Sequence, residues 1–317
     1  MNTTESMQKF SQKTDVIGEK LVYVSQPYYA PESPFEGRTE ELNLITAAWM
    51  RRKGRPPLSP LLLGEPGVGK NRLVYELARR TGKDLYIFQG HEDVTAEDLA
   101  CAVRFSDDAT RKMDYVVSPL VTAMRTGAIY FIDEIAKIRP RALALLVSVL
   151  DERQYIDSTL LGERVYAHPG FRFIAATNTA DLEGQSMPEF IRSRLRPIIK
   201  VGYPPRDEVN RILKAQHARL QTDGDHLLDY FWVLWERSGM TNPPTPRDAI
   251  YTFDLALSLA DFNAMGLREA IMHPGADHIR LESAVTSDGL AKEHVEQAFN
   301  ELFRRSDGAQ ETADTHG

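Results

Sequence analysis

Leu58-Ser59-Pro60-Leu61-Leu62-Leu63-Gly64-Glu65-Pro66-Gly67-Val68-Gly69-Lys70-Asn71 is the stretch on which the fold turns. An apolar run of strand length leads into three glycines, then a lysine, then the helix-like run Lys70–Thr81. Glycines let the backbone curl so that several N–H groups point inward at an anion. The helix that follows adds the positive end of its dipole. Gly-x4-Gly-Lys between a strand and a helix is the setting a phosphate-binding loop requires. Gly64, Glu65, Pro66, Gly67, Val68, Gly69, Lys70, Asn71 and Arg72 are therefore the candidate nucleotide-binding residues, with Lys70 reaching the β- and γ-phosphates. The position after the lysine ordinarily carries Ser or Thr, whose hydroxyl ligates Mg²⁺. Here it is Asn71. An amide oxygen is a ligand for a hard cation, but it is longer and differently angled, so altered Mg²⁺ coordination is expected.

Outward from this loop the chain alternates. Leu58–Leu63, Asp84–Phe88, Ala128–Ile132, Phe171–Thr177 and Pro197–Gly202 read as buried strands. Helix-like stretches such as Glu40–Lys53, Lys70–Thr81 and Pro140–Asp151 separate them. In the last of these Leu143, Leu146, Val147 and Leu150 fall at helical spacing, and Pro140 suits a first turn. Such alternation predicts a parallel sheet covered on both faces. Residues 102–118 and 153–168 have hairpin patterns that a doubly wound sheet does not need, so both read as insertions. After Tyr203 strand signals thin out, and Asp207–Leu220, Leu227–Arg237, Arg247–Ala260 and Ala291–Arg304 look helical. The expected organisation is a loosely ordered stretch over 1–20, an α/β nucleotide-binding domain over 21–203, a helical lid domain over 204–305 and a disordered tail over 306–317.

The run Ile129-Tyr130-Phe131-Ile132-Asp133-Glu134 ends a strand in two carboxylates. Asp133 would hold the Mg²⁺ shell and Glu134 would polarise the attacking water. Asn178, at the end of Phe171–Thr177, would orient the same water. Arg192 and Arg194 precede the last strand, and Arg194, with Arg192 second, would reach the γ-phosphate of a neighbouring subunit. Arg247, in Thr245-Pro246-Arg247, would contact nucleotide from the lid domain.

In this order these pieces resemble the AAA+ ATPases, and most of all the MoxR branch with the NorQ, CbbQ and GvpN types. The matching stretches include Phe35-Glu36-Gly37-Arg38, the phosphate loop, 88–99, 118–155, 173–178, 191–195 and 243–249. The resemblance implies a P-loop AAA+ module with a five-stranded parallel sheet, two hairpin insertions and a C-terminal helical lid. It places Lys70 and Asn71 in Walker A, and Asp133 and Glu134 in Walker B. It makes Asn178 sensor 1, Arg247 sensor 2 and Arg194 the arginine finger, and sets Gly37 and Arg38 beside the adenine. It further implies ATP and Mg²⁺ as cofactors and a homo-oligomeric, commonly hexameric ring. A von Willebrand factor A domain partner and a protein client that is remodelled or activated complete the expectation.

Composition excludes several other classes. The 317 residues are 42% hydrophobic, enough for a sizeable core and against wholesale disorder. The net charge of −7 argues against a nucleic-acid motor. One cysteine, Cys101, excludes a disulfide framework and suits a reducing compartment. No run approaches a membrane span and the N-terminus lacks an apolar signal core, so a cytoplasmic protein is expected. Arg51, Arg52, Lys53 and Arg55 read either as cations complementing the end of a helix or as a contact for a partner or nucleic acid. An ATP-binding switch or assembly scaffold with little turnover is the rival to a hydrolytic engine, and Asn71 is the residue that raises it.

Overall fold

The computed structural model describes residues 13–106, 111–183, 187–237 and 241–263. The expected helix Ala291–Arg304 and the expected disordered tail lie outside them. The chain divides into two compact units. One holds residues up to Glu32, Arg38–Glu65 and Lys70–Val201. The other takes Ser33–Gly37, Pro66–Gly69 and the chain from Gly202 onward.

Among the described residues eleven strands lie in the first unit: β1 Thr14–Ile17, β2 Lys20–Tyr23, β3 Ser59–Leu63, β4 Leu85–Gln89, β5 Cys101–Phe105, β6 Met113–Val117, β7 Ile129–Asp133, β8 Tyr155–Ser158, β9 Glu163–Tyr166, β10 Arg172–Thr177 and β11 Leu195–Lys200. Five of them form a parallel sheet in the order β11-β3-β10-β7-β4. These are the five strands expected from the sequence, and the central members β3, β10 and β7 are apolar through their middles, with polar residues only at their ends, because both faces are covered. Leu61, Leu62, Phe131, Ile132, Ile174 and Ala175 have no contact with solvent. The helix Thr39–Trp49 is tied to the sheet by the Trp49 indole, which donates to the Phe173 carbonyl at 3.1 Å. The helix Pro119–Thr126 is capped at both ends. Ser118 Oγ accepts from Val121 N, Pro119 occupies the first turn, and Gly127 closes the helix at φ 76°. The run Pro140–Leu150 is helical with one tightened turn at Ala144–Leu146, and it buries Leu143, Leu146 and Val149.

Both insertions are hairpins: β5 pairs β6 and β8 pairs β9, each antiparallel. The first does not stand alone. β2 pairs parallel with β6, and β1 antiparallel with β2, giving a second sheet in the order β1-β2-β6-β5. The expectation of a loosely ordered stretch through residue 20 therefore fails from Thr14 onward. The physical reason is pairing: β6 offers an open edge, and Ile17 and Val22 leave water against the core beneath it. Arg125 fixes the segment further through Asp15 at 2.9 Å and the Val16 carbonyl at 3.2 Å. Lys20 joins this sheet to the other hairpin, donating its ammonium to the carbonyls of Leu160 and Leu161 in the β8–β9 turn while lying over the Tyr115 ring of β6.

In the second unit the helices Arg206–Gln216, Leu220–Arg237 and Pro246–Asn263 enclose Val209, Leu213, Leu228, Phe231, Trp235 and Phe253. Trp232 and Trp235 are core residues, as their helical spacing predicts, and each indole N–H has an acceptor, Asn210 Oδ1 at 2.8 Å and the Asn242 carbonyl at 2.9 Å. No helix among the described residues is long and apolar enough to cross a membrane.

Candidate nucleotide site

The site sits at the C-terminal ends of β3, β7 and β10. Lys70 opens the helix Lys70–Thr81 and is 8% exposed, which is unusual for an ammonium. It is satisfied by three acceptors: the Gly64 carbonyl at 2.7 Å, the Glu65 carbonyl at 3.1 Å and Asn178 Oδ1 at 2.9 Å. Asn178 follows β10, so the contact joins the phosphate loop to the strand that carries the expected sensor. The Asn178 amide also donates to Asp181 at 3.4 Å. Within the loop Gly67 and Gly69 adopt φ 86° and 101°, which only glycine takes without strain. A Cβ on Gly67 would meet Thr245 Oγ1 at 2.5 Å and Arg247 Cβ at 3.3 Å. Arg247 is thus beside the loop glycine. Thr245 and Asp248 hold it there, each side chain bonding the other's backbone N–H at the start of the helix Pro246–Asn263.

Asn71 Nδ2 donates to Asp133 Oδ2 at 2.9 Å. The two residues expected to share a cation are therefore neighbours. A carboxylate and an amide, presented together, are a donor set that fits Mg²⁺ once the amide turns its oxygen inward. Glu134 follows at φ 54°, a left-handed conformation rare for a side chain of this size and worth noting at a functional position. Its Oε2 accepts from Gln89 Nε2 at 2.9 Å and from Lys137 Nζ at 2.7 Å. The Glu134 hydrogen bond raises the Lys137 pKa, with burial opposing. Arg72 lies on the same helix as Tyr75, whose phenol is pushed up to about 12 by burial and by the Tyr28 hydroxyl, Asp133 adding to the rise and Arg72 opposing it.

Sequence reasoning missed Gln89 and Lys137. Gln89 reaches Glu134 because β4 and β7 run in register, Gln89 opposite Asp133, a pairing no local spacing reveals. Lys137 stands three residues after Glu134, a spacing at which a short helical turn brings side chains together, and could have been read. Arg192 and Arg194 are not brought to this site. They precede β11, whose Leu195 pairs with Ser59 and whose Lys200 pairs with Leu63. They thus lie at the end of the sheet opposite Lys70, about 13 Å away along the strand at roughly 3.3 Å per residue. Arg194 Nη1 donates to the Phe190 carbonyl at 2.7 Å. Gly37, at φ 74°, lies beside Glu208 in the second unit.

Comparison with known proteins places part of the chain beside one family. Residues 59–195 match the family described as AAA domain (dynein-related subfamily). This segment is similar to that family. Protein CbbQ of Hydrogenophilus thermoluteolus is 32% identical over 154 residues, 49% of this chain and 52% of that protein. Protein NorQ of Paracoccus denitrificans is 32% identical over 155 residues, again 49% and 52%. The chain thus spans about half the length of these relatives. The chain also shares its fold with the solved structure of Thermotoga maritima RuvB, a Holliday junction branch migration motor. The TM-score there is 0.51 at 19% identity, covering 76% of this chain and 70% of that one.

Proposed function

We propose that the protein is an ATP-hydrolysing engine of the MoxR type, working in the cytoplasm as a homo-oligomeric ring that remodels or activates a protein client, with a von Willebrand factor A domain partner. The observation that carries hydrolysis is the meeting of Walker A and Walker B, Asn71 with Asp133 at 2.9 Å and Glu134 beside them. In this reading Lys70 exchanges a loop carbonyl for a phosphate oxygen. Asp133 and Asn71 would hold Mg²⁺, which would supply charge neutralisation at the β- and γ-phosphates. Glu134 leaves Gln89 and Lys137 to accept a proton from water, and Asn178 orients that water. Gly37 and Arg38 flank the adenine, and Arg247 contacts the nucleotide from the lid domain.

The position of Arg194 supports action between subunits, since about 13 Å of strand separates it from its own loop. A second reading, an ATP-binding switch with little turnover, is favoured by one detail: the Asn71 amide presents a donor, not a ligand atom, to Asp133.

The test is steady-state ATPase activity across a Mg²⁺ titration for wild type, Glu134→Gln and Asn71→Thr. The engine predicts wild-type turnover and a loss of at least about 100-fold in Glu134→Gln, within the range of general-base contributions. A silent wild type revived by Asn71→Thr would establish the switch instead.

A further inference from the structure

The loops at the strand-N-terminal end of the parallel sheet, opposite the phosphate loop, carry cations that form no ion pair among the described residues. The helix expected over Glu40–Lys53 stops at Trp49, so Arg51, Arg52, Lys53 and Arg55 lie in a separate loop leading to β3. That loop is a tight turn: Arg55 N donates to the Arg52 carbonyl at 3.0 Å, and Gly54 sits at its tip with φ 76°. Arg172 opens β10 and Lys83 precedes β4. Lys83 bonds the Gly127 carbonyl at 2.8 Å, and Arg172 bonds the carbonyls of Pro169 and Phe171 at 3.0 and 2.7 Å.

Among the described residues none of these six makes an ion pair. Elsewhere in the unit Arg79, Arg80, Arg125, Arg153 and Arg164 all do. Burial lowers the pKa of Lys83 and of Arg172, and the neighbouring cation lowers each further, Arg172 acting on Lys83 and Arg51 on Arg172. Asp84, next to Lys83, is exposed and makes no ion pair among the described residues. Cations crowded this way attract an anion from outside.

We infer that this end of the sheet, built from Arg51, Arg52, Lys53, Arg55, Lys83 and Arg172, is a docking surface for an acidic polypeptide segment of a partner protein. The cations span the strands from β3 to β4, three spacings or about 14 Å, which is more than one phosphate can cover and suits carboxylates spaced along an extended chain. Each carbonyl bound to Lys83 or Arg172 keeps a second lone pair, which a peptide N–H can use and a phosphodiester cannot. The six residues include no aromatic ring on which bases could stack. The whole chain, at −7, repels a dense polyanion such as nucleic acid more strongly than it repels a short acidic peptide.

The experiment is fluorescence anisotropy at physiological salt, titrating the full chain into a dye-labelled poly-glutamate peptide and, separately, into a labelled DNA duplex. Two variants of equal charge change are compared with wild type, Arg51→Glu/Lys53→Glu in the exposed loop and Arg153→Glu/Arg164→Glu on the β8–β9 hairpin. The expected result is peptide binding weakened at least about tenfold in the first variant and within about twofold in the second, with the duplex bound more weakly than the peptide. Equal loss in both variants, absence of peptide binding by wild type, or tighter binding of the duplex would overturn the proposal. Unchanged unfolding midpoints keep loss of fold out of the comparison.

Discussion

Lys70 has all three of its ammonium donors engaged by the protein itself, two loop carbonyls and Asn178. On the proposed reading a phosphate oxygen entering the loop would take the place of one loop carbonyl, so binding would be an exchange of partners that leaves Asn178 on Lys70. His217 behaves in the opposite way. It is 8% exposed at the end of the helix Arg206–Gln216, its Nε2 has no hydrogen-bond partner, and its nearest carboxylate, Asp254, is 3.7 Å away. Burial lowers its pKa below the ordinary 6.5, and Asp254 opposes the shift without cancelling it. The unfolded chain therefore binds this proton more readily than the folded one. His217 costs no stability above the unfolded value near 6.5 and costs progressively more as pH falls below it. The expected outcome is an unfolding midpoint, followed by circular dichroism, that drops on acidification from neutral pH. His217→Phe should flatten that slope by approaching one proton per molecule.

At the scale of elements, the N-terminal strands and Lys20 act as a staple. β1 and β2 widen the β5–β6 hairpin into a sheet, and the Lys20 ammonium reaches across to the β8–β9 turn. Removing that charge while keeping the aliphatic stem, as in Lys20→Met, should cost about 1 kcal/mol for a partly exposed charge-assisted hydrogen bond. Amide exchange across Ile156 and Val165 should quicken severalfold while the parallel sheet stays protected. Unchanged exchange at the turn would show the two hairpins to be independent.

The parallel sheet was legible in the sequence because strands buried on both faces have continuous apolar middles. β3, β7 and β10 announce themselves that way. Gly67 and Lys70 stand out as candidates because a phosphate loop constrains backbone and charge together, and Asp133 because it ends an apolar strand in a carboxylate. β1 and β2 were not. Four residues each, half polar, they become strands only because β6 offers its edge. Gln89 was hidden for the same reason: its partner comes from another strand.

At the scale of the whole molecule, Arg194 and Glu134 stand at opposite ends of one sheet. If each site is completed by a neighbour, Arg194→Ala and Glu134→Gln are each inactive, yet a mixture of the two restores turnover, because some interfaces receive an intact Glu134 from one chain and an intact Arg194 from the other. Measured ATPase activity of the mixture above the sum of the separate variants is the expected result. Strict additivity would count against shared sites.

The placement of the indoles has a practical consequence. The chain has three tryptophans. Trp49 is sealed in the first unit against Phe173, while Trp232 and Trp235 are sealed in the second. Emission from the intact chain is therefore a blended optical signal. Trp232→Phe/Trp235→Phe leaves a lamp in the parallel-sheet unit alone, and Trp49→Phe leaves one in the helical unit alone. The spectra of those two variants give each unit its own colour, and the order in which the two units come apart on heating can be read from a cuvette.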